Sequence, residues 1–301
     1  MPSSETTPPG RITPPRRRRT WRDHLLTGVK WAIGALFLAY LYTSFVRTEF
    51  NLYPLIEGAP QVRHTLAELG HPDLSWVAHG NKGEVLTDPR TGRPKRGTLP
   101  VLLASMNETI EISLVGTFLS LLISFPLAFL AARNLARGTL MGRVFYSLTR
   151  AVFNVSRAFP PYILAIILVI MVGPGPFPGV LALALHSIGM MGKLFAETIE
   201  SVDAAPIEAV RATGANNLLV VWFGVLPQVS PQFVAFTLSR WDINIRMAFI
   251  LGIVGAGGIG FLLDQYIRLF QYAKASTAFL IILVAVTLLD WASSYLRERM
   301  G

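Results

Sequence analysis

The side chains best equipped for chemistry stand together in one apolar stretch, Arg240-Trp241-Asp242-Ile243-Asn244-Ile245-Arg246. Counted from Pro231, an ideal helix carries Arg240 about 13 Å and Arg246 about 22 Å along its axis, which is mid-membrane for a bilayer-length segment. A charge there costs about 2.5 to 3.5 kcal/mol or more, so Arg240, Asp242 and Arg246 must face protein or water. Asp242 and Arg246 are four apart and neutralise each other, while Arg240 and Asn244 form a second pair about half a turn away. On a regular helix all four cannot line one aqueous path. Two arginines against one aspartate leave a surplus positive charge, which suits an anion. The same residues would equally serve as a buried network that ties helices together. His186 and Ser187, in another apolar stretch, offer hydrogen bonds to an oxyanion. A packing hydroxyl and a satisfied buried histidine are nevertheless the commoner fates of such residues.

Other chemistries lack their residues. The chain has no cysteine, so thiolate nucleophiles, disulfides and thiolate metal sites are excluded, and its five histidines form no close ligand pair. No Gly-x-x-x-x-Gly-Lys-Ser/Thr phosphate loop, His-Glu-x-x-His or Gly-x-Ser-x-Gly occurs. Gly255, Gly257, Gly258 and Gly260 do satisfy Gly-x-Gly-x-x-Gly, but no acidic residue follows about 20 positions on and no strand-helix-strand unit surrounds them. They read as packing or gate glycines at the end of a membrane helix.

The scaffold these residues need is a bilayer-embedded one. Of 301 residues, 52% are hydrophobic and 15% charged, with mean hydropathy +0.47, more apolar surface than a soluble core of this size buries. Span-length apolar windows recur at 27–46, 105–132, 145–172, 179–195, 231–254 and 275–295, predicting an all-α integral membrane protein of six transmembrane helices. The net charge of +9 lies between these windows instead of along one face, so topology accounts for it better than nucleic acid does.

Residues 1–26, rich in proline and carrying Arg16, Arg17, Arg18 and Arg19, read as a disordered, basic cytoplasmic tail. The window 27–46 exceeds a signal peptide's apolar core and reads as a retained first helix. Residues 47–104 read as an extracytoplasmic loop without a span, and 105–301 as the membrane core. With the basic tail inside, alternation places both termini, the region 133–157 and the loop 197–227 on the cytoplasmic side.

Within 197–227 the segment Ser201 to Gly214 mixes polar and apolar residues at helical spacing. Asp203 caps a short helix, Pro206 suits its first turn, Ile207 and Val210 share a face, and Gly214 takes the left-handed terminating conformation. Asn216 or Asn217 caps a second helix. This segment resembles the coupling loop of binding-protein-dependent ABC permeases, whose pattern is Glu-Ala-Ala, three residues, Gly, nine residues, Ile, one residue, Leu-Pro. Glu208, Ala209, Gly214, Leu226 and Pro227 match in register; Val210 replaces the second alanine and Gly224 the isoleucine.

The resemblance narrows to the phosphonate branch of these type I importers, from about residue 109 onward. Ala132-Arg133-Asn134, Leu183 to Gly189, Arg211 to Asn216 and above all the heptad Arg240 to Arg246 carry it. Pro161-Tyr162 departs from the acidic residue expected there. The resemblance implies coupling helices that dock on two copies of a cytosolic ATPase, which bind the ATP and magnesium, so this chain needs no cofactor of its own. It also implies a homodimer of this permease, an extracytoplasmic phosphonate-binding protein and the plasma membrane of a prokaryote. One alternative is an ion-coupled secondary transporter of an anion, which would use Asp242 for coupling and leave the loop unexplained; another is an ABC importer permease for a different substrate class.

Overall fold

The computed structural model describes residues 21–48, 59–74, 86–87, 94–95, 100–134 and 140–300. By contacts the chain divides into two units, Met1–Val62 and Arg63–Gly301. The first holds α1 (Trp21–Arg47), whose apolar stretch Gly28–Arg47 has the length of a span. Helix α2 (Ala59–Leu69) leads into the second unit. The 47–104 region is thus part helical, with a two-residue antiparallel pair, β1 (Leu86–Thr87) on β2 (Pro94–Lys95). Residues 49–58, 75–85, 88–93 and 96–99 lie outside the described ones, as does the expected tail up to residue 20.

In the second unit, α3 (Val101–Leu130) buries a stripe of small hydroxyls, Ser105, Thr109, Ser113, Thr117, Ser120 and Ser124. Thr109, Ser113, Thr117, Ser120 and Ser124 donate back to carbonyls of their own helix, as in Thr109 Oγ1 to Ser105 O (2.9 Å) and Thr117 Oγ1 to Ser113 O (2.7 Å). Small residues of this kind let neighbouring backbones approach closely, which is how helices associate where burial from water drives nothing. At Gly116 an added Cβ would stand 3.0 Å from Leu183 Cβ of α6 (Pro176–Glu200).

The window 145–172, expected as one helix, is two: α4 (Leu140–Ala158) and α5 (Pro161–Val172), bent by 85°. Pro160 and Pro161 supply no N–H, and Pro160 disfavours helical geometry at Phe159. Helix α5 rises only about 18 Å, too little to cross a bilayer alone. Gly189 and Gly192 of α6 receive α4, with the Phe153 ring lying where a Gly192 side chain would be.

After α6 come α7 (Ala204–Ala212), α8 (Asn217–Leu219), a π-helical turn (Val220–Val225) and α9 (Leu226–Leu251). A second π turn (Gly252–Ala256) then leads to α10 (Gly258–Arg268) and α11 (Tyr272–Met300). Three apolar layers succeed one another along α3. Phe153, Phe195 and Phe233 hold the α7 end, the Phe195 and Phe233 rings stacked at 4.1 Å. Ile112, Leu183 and Leu251 fill the middle, and Leu102, Met106, Leu262 and Ala278 the opposite end. Among the described residues five helices are long and apolar enough to cross a membrane, six if the bent α4–α5 pair makes one crossing. This is an all-helical, multi-pass membrane protein.

Candidate functional site

At one end of the bundle the loop after α6 is built by local capping. Asp203 Oδ1 accepts from Ala205 N–H (3.1 Å) to start α7, Gly214 ends it at φ +78°, and Asn216 Oδ1 accepts from Leu219 N–H (2.9 Å). Glu208, Ala209 and Gly214 are exposed, as is Pro227 at the start of α9, while Leu226 packs on the aromatic layer. Gly224 lies beneath α7, where a Cβ would stand 3.2 Å from Ile207 Cα.

Gln228, which sequence reasoning missed, staples this loop. Its Oε1 accepts from Asp203 N–H (3.1 Å), and its Nε2 donates to Gly224 O (2.6 Å) and Asp203 O (3.3 Å). Leu218, Trp222 and Phe223 stand exposed around it at 80%, 64% and 62%, an apolar rim that needs lipid or a partner to cover it.

Mid-bundle, the charged heptad splits in two. Arg240 is only 7% exposed and donates from Nε to Ser187 Oγ (3.0 Å). Ser187 Oγ donates in turn to Asn244 Oδ1 (3.1 Å), and Asn244 Nδ2 to Thr117 Oγ1 (2.9 Å). Trp241 Nε1 donates to Ser113 Oγ (3.2 Å). One polar chain thus joins α3, α6 and α9 through their centres. His186 is half-buried beside Ser187, with Nδ1 3.1 Å from Phe159 O in the α4–α5 break.

On the other side of α9, Arg246 pairs with Asp242 (2.6 Å) and also with Asp290 of α11 (2.9 Å). Asp290 corrects the charge arithmetic, because with it the four mid-bundle charges sum to zero. The heptad by itself keeps a charge of +1, but the Arg246, Asp242 and Asp290 group carries −1, and Arg240, which joins no carboxylate among the described residues, carries the balancing +1.

Gly255, Gly257 and Gly258 all have positive φ, a region open to glycine at little cost. They turn the chain from α9 into α10 in a tight space: Gly175 N–H donates to Gly255 O (2.9 Å) and Ile259 N–H to Thr109 Oγ1 (2.9 Å). A Cβ on Gly260 would overlap the Phe249 carbonyl. No cluster of three His, Asp or Glu side chains suited to a metal occurs among the described residues.

Comparison with known proteins shows what the chain as a whole is similar to. Residues 124–301 match the family described as binding-protein-dependent transport system inner membrane component. The chain is 46% identical over 293 residues to a phosphite transport system permease protein of Stutzerimonas stutzeri, covering 92% of this chain and 94% of that one. It is 45% identical over 199 residues to a phosphate-import permease protein of Mycolicibacterium smegmatis, covering 66% of this chain and 36% of that one. Among solved structures, an inward-facing MetNI methionine ABC transporter aligns with a TM-score of 0.58 at 21% identity, over 67% of this chain and 96% of that one. A bacterial alginate ABC transporter aligns at 0.51 and 15% identity, over 92% and 99%. These structural likenesses show the fold, and the sequence match shows more: the chain belongs to the family of binding-protein-dependent transport system inner membrane components.

Proposed function

We propose that this chain is the membrane-spanning permease subunit of a type I ABC importer for phosphite, phosphonates or closely related phosphorus oxyanions. The observation that carries the reading is the 46% identity to a phosphite transport permease along nearly the whole of both chains. Arg240 supports it: a buried guanidinium without a carboxylate partner among the described residues is a natural counter-charge for a dehydrated anion.

In this reading α7 and the turn after it face the cytosol, where Glu208, Ala209 and Gly214 dock on a partner ATPase. Two such ATPases bind and hydrolyse ATP, and this chain does not. Two permease copies enclose the path, an external binding protein delivers the oxyanion, and both termini lie in the cytosol of a prokaryote. Loop residues 197–227 then transmit ATPase closure directly into α9, which begins at Leu226 and carries Arg240.

Reconstitution in proteoliposomes with the ATPase and binding protein tests this. ATP-dependent uptake of radiolabelled phosphite or methylphosphonate is expected, abolished by omitting the ATPase. Uptake by the chain alone, driven by an ion gradient, would establish the secondary-transporter alternative instead.

A further inference from the structure

Helix α4 is amphipathic and carries Arg143, Arg150 and Arg157 at seven-residue intervals on one face. The last of these lies one turn before the break at Pro160, and its surroundings differ from those of the other two. Its stem crosses α6 at mid-length: a Cβ on Gly189 would stand 2.8 Å from Arg157 Cγ. Its Nε–H donates to Met190 Sδ at 3.1 Å. Met190 and His186 are four apart and share a face of α6, with Ser187 one residue round. Helix α6 therefore presents side by side the sulfur that holds Arg157, the His186 imidazole and the hydroxyl that holds Arg240.

The imidazole is fixed by the break itself. Because a carbonyl can only accept, the contact between His186 Nδ1 and Phe159 O puts the hydrogen on Nδ1. From there the ring lies within electrostatic reach of both Arg240 and Arg157. Among the described residues the arginine–carboxylate pairs are Arg150–Glu200, Arg246–Asp242, Arg246–Asp290 and Arg268–Asp264; neither Arg157 nor Arg240 joins one. Among the described residues each guanidinium is held by a single bond from Nε, to sulfur in one case and to a hydroxyl in the other. Both Nη groups are left to point elsewhere. A guanidinium without a carboxylate inside a membrane bundle is a charge that an anion or water must compensate.

We propose that Arg157, His186 and Arg240 form one oxyanion site along α6, with Arg157 as the second guanidinium. The three oxygens of a phosphite or phosphonate can meet both guanidiniums at once if one oxygen is shared, and its dianion matches two cations where a carboxylate brings a single charge. His186, anchored on Phe159 O, stands on α6 beside the residues that hold the two cations. The assignment rests on the importer reading, and it removes Arg246 from the path because Asp242 and Asp290 already occupy it.

The complete transporter in proteoliposomes tests it. Arg157→Met keeps an unbranched stem against Gly189 and removes the charge. Phosphite uptake per ATP hydrolysed should fall about ten-fold or more, the loss expected for a charge-assisted hydrogen-bond pair, with Arg157→Lys recovering part of it and basal hydrolysis retained. Should methionine prevent assembly, Arg157→Gln takes its place. Wild-type phosphite uptake in either neutral variant overturns the site. So does a requirement for charge in assembly itself, seen as both neutral variants failing to assemble while Arg157→Lys assembles. A wild-type transporter that moves another solute but no phosphite defeats the proposed function instead, so the two failures are told apart.

Discussion

Gly224 stands where the coupling-loop pattern has isoleucine, and the fold supplies the reason. The α7 backbone crosses directly over it, with Ile207 Cα 3.2 Å from the place of a Cβ. Restoring the pattern with Gly224→Ile is therefore expected to be harmful: it lifts α7 and breaks the Gln228 staple on Gly224 O. ATPase co-purification should fall while the melting midpoint of the permease alone changes little. Gly214→Val should also weaken docking, since a β-branched residue at φ +78° costs about 1 to 2 kcal/mol or more. Both effects are read by pull-down with the ATPase, and unchanged capture in either variant would refute them. Much of this loop was legible residue by residue, because Asp203, Gly214 and Asn216 act on backbone groups within three positions of themselves. Gln228 was not legible, since its partner Asp203 is 25 residues away and no local rule marks such a pair.

Helices are legible when their pattern is local and unreadable where a neighbour sets it. The apolar windows located α3, α6, α9 and α11, but 145–172 reads through Phe159-Pro160-Pro161 as one span. Hydropathy is indifferent to backbone geometry, and it passes over an 85° bend. The hydroxyl stripe of α3 is in view as a four-residue repeat, Ser105, Thr109, Ser113 and Thr117, yet nothing in the repeat itself says which neighbour it meets. Helix packing makes a prediction of its own at Gly192. A methyl group there would overlap the Phe153 ring, which is only 1% exposed and has no room to withdraw. Gly192→Ala should destabilise the protein in detergent by about 1 to 3 kcal/mol through overpacking. Gly34→Ala, with nothing within 4 Å of its Cβ, should be neutral or slightly stabilising because alanine favours helix. Equal melting midpoints for the two variants would contradict the close α4–α6 crossing.

For the molecule as a whole, the decisive quantity is how its mid-bundle charges are apportioned. Arg240 hangs on a chain of neutral hydrogen bonds that crosses three helices, whereas Arg246, Asp242 and Asp290 form a closed ion group joining α9 to α11. Sequence alone shows the heptad but not its tie to Asp290, which lies 44 residues on and reads only as part of the last span. The two groups should respond oppositely to partial and complete removal. Arg246→Ala leaves Asp242 and Asp290 facing each other as like charges, so it should be the most destabilising single change in the group. Replacing Arg246, Asp242 and Asp290 together by neutral residues of similar size should be milder than that single change, because removing one partner leaves uncompensated charge in a site of low polarity. Asp290→Asn alone should cost less still, since Arg246 keeps Asp242 at 2.6 Å. Melting midpoints in detergent give the ranking, with phosphite uptake retained by Asp290→Asn. If instead Asp290→Asn abolishes uptake while Arg246→Ala leaves stability untouched, the ion group belongs to the transport path, and the division between a structural pair and a substrate-facing Arg240 is wrong.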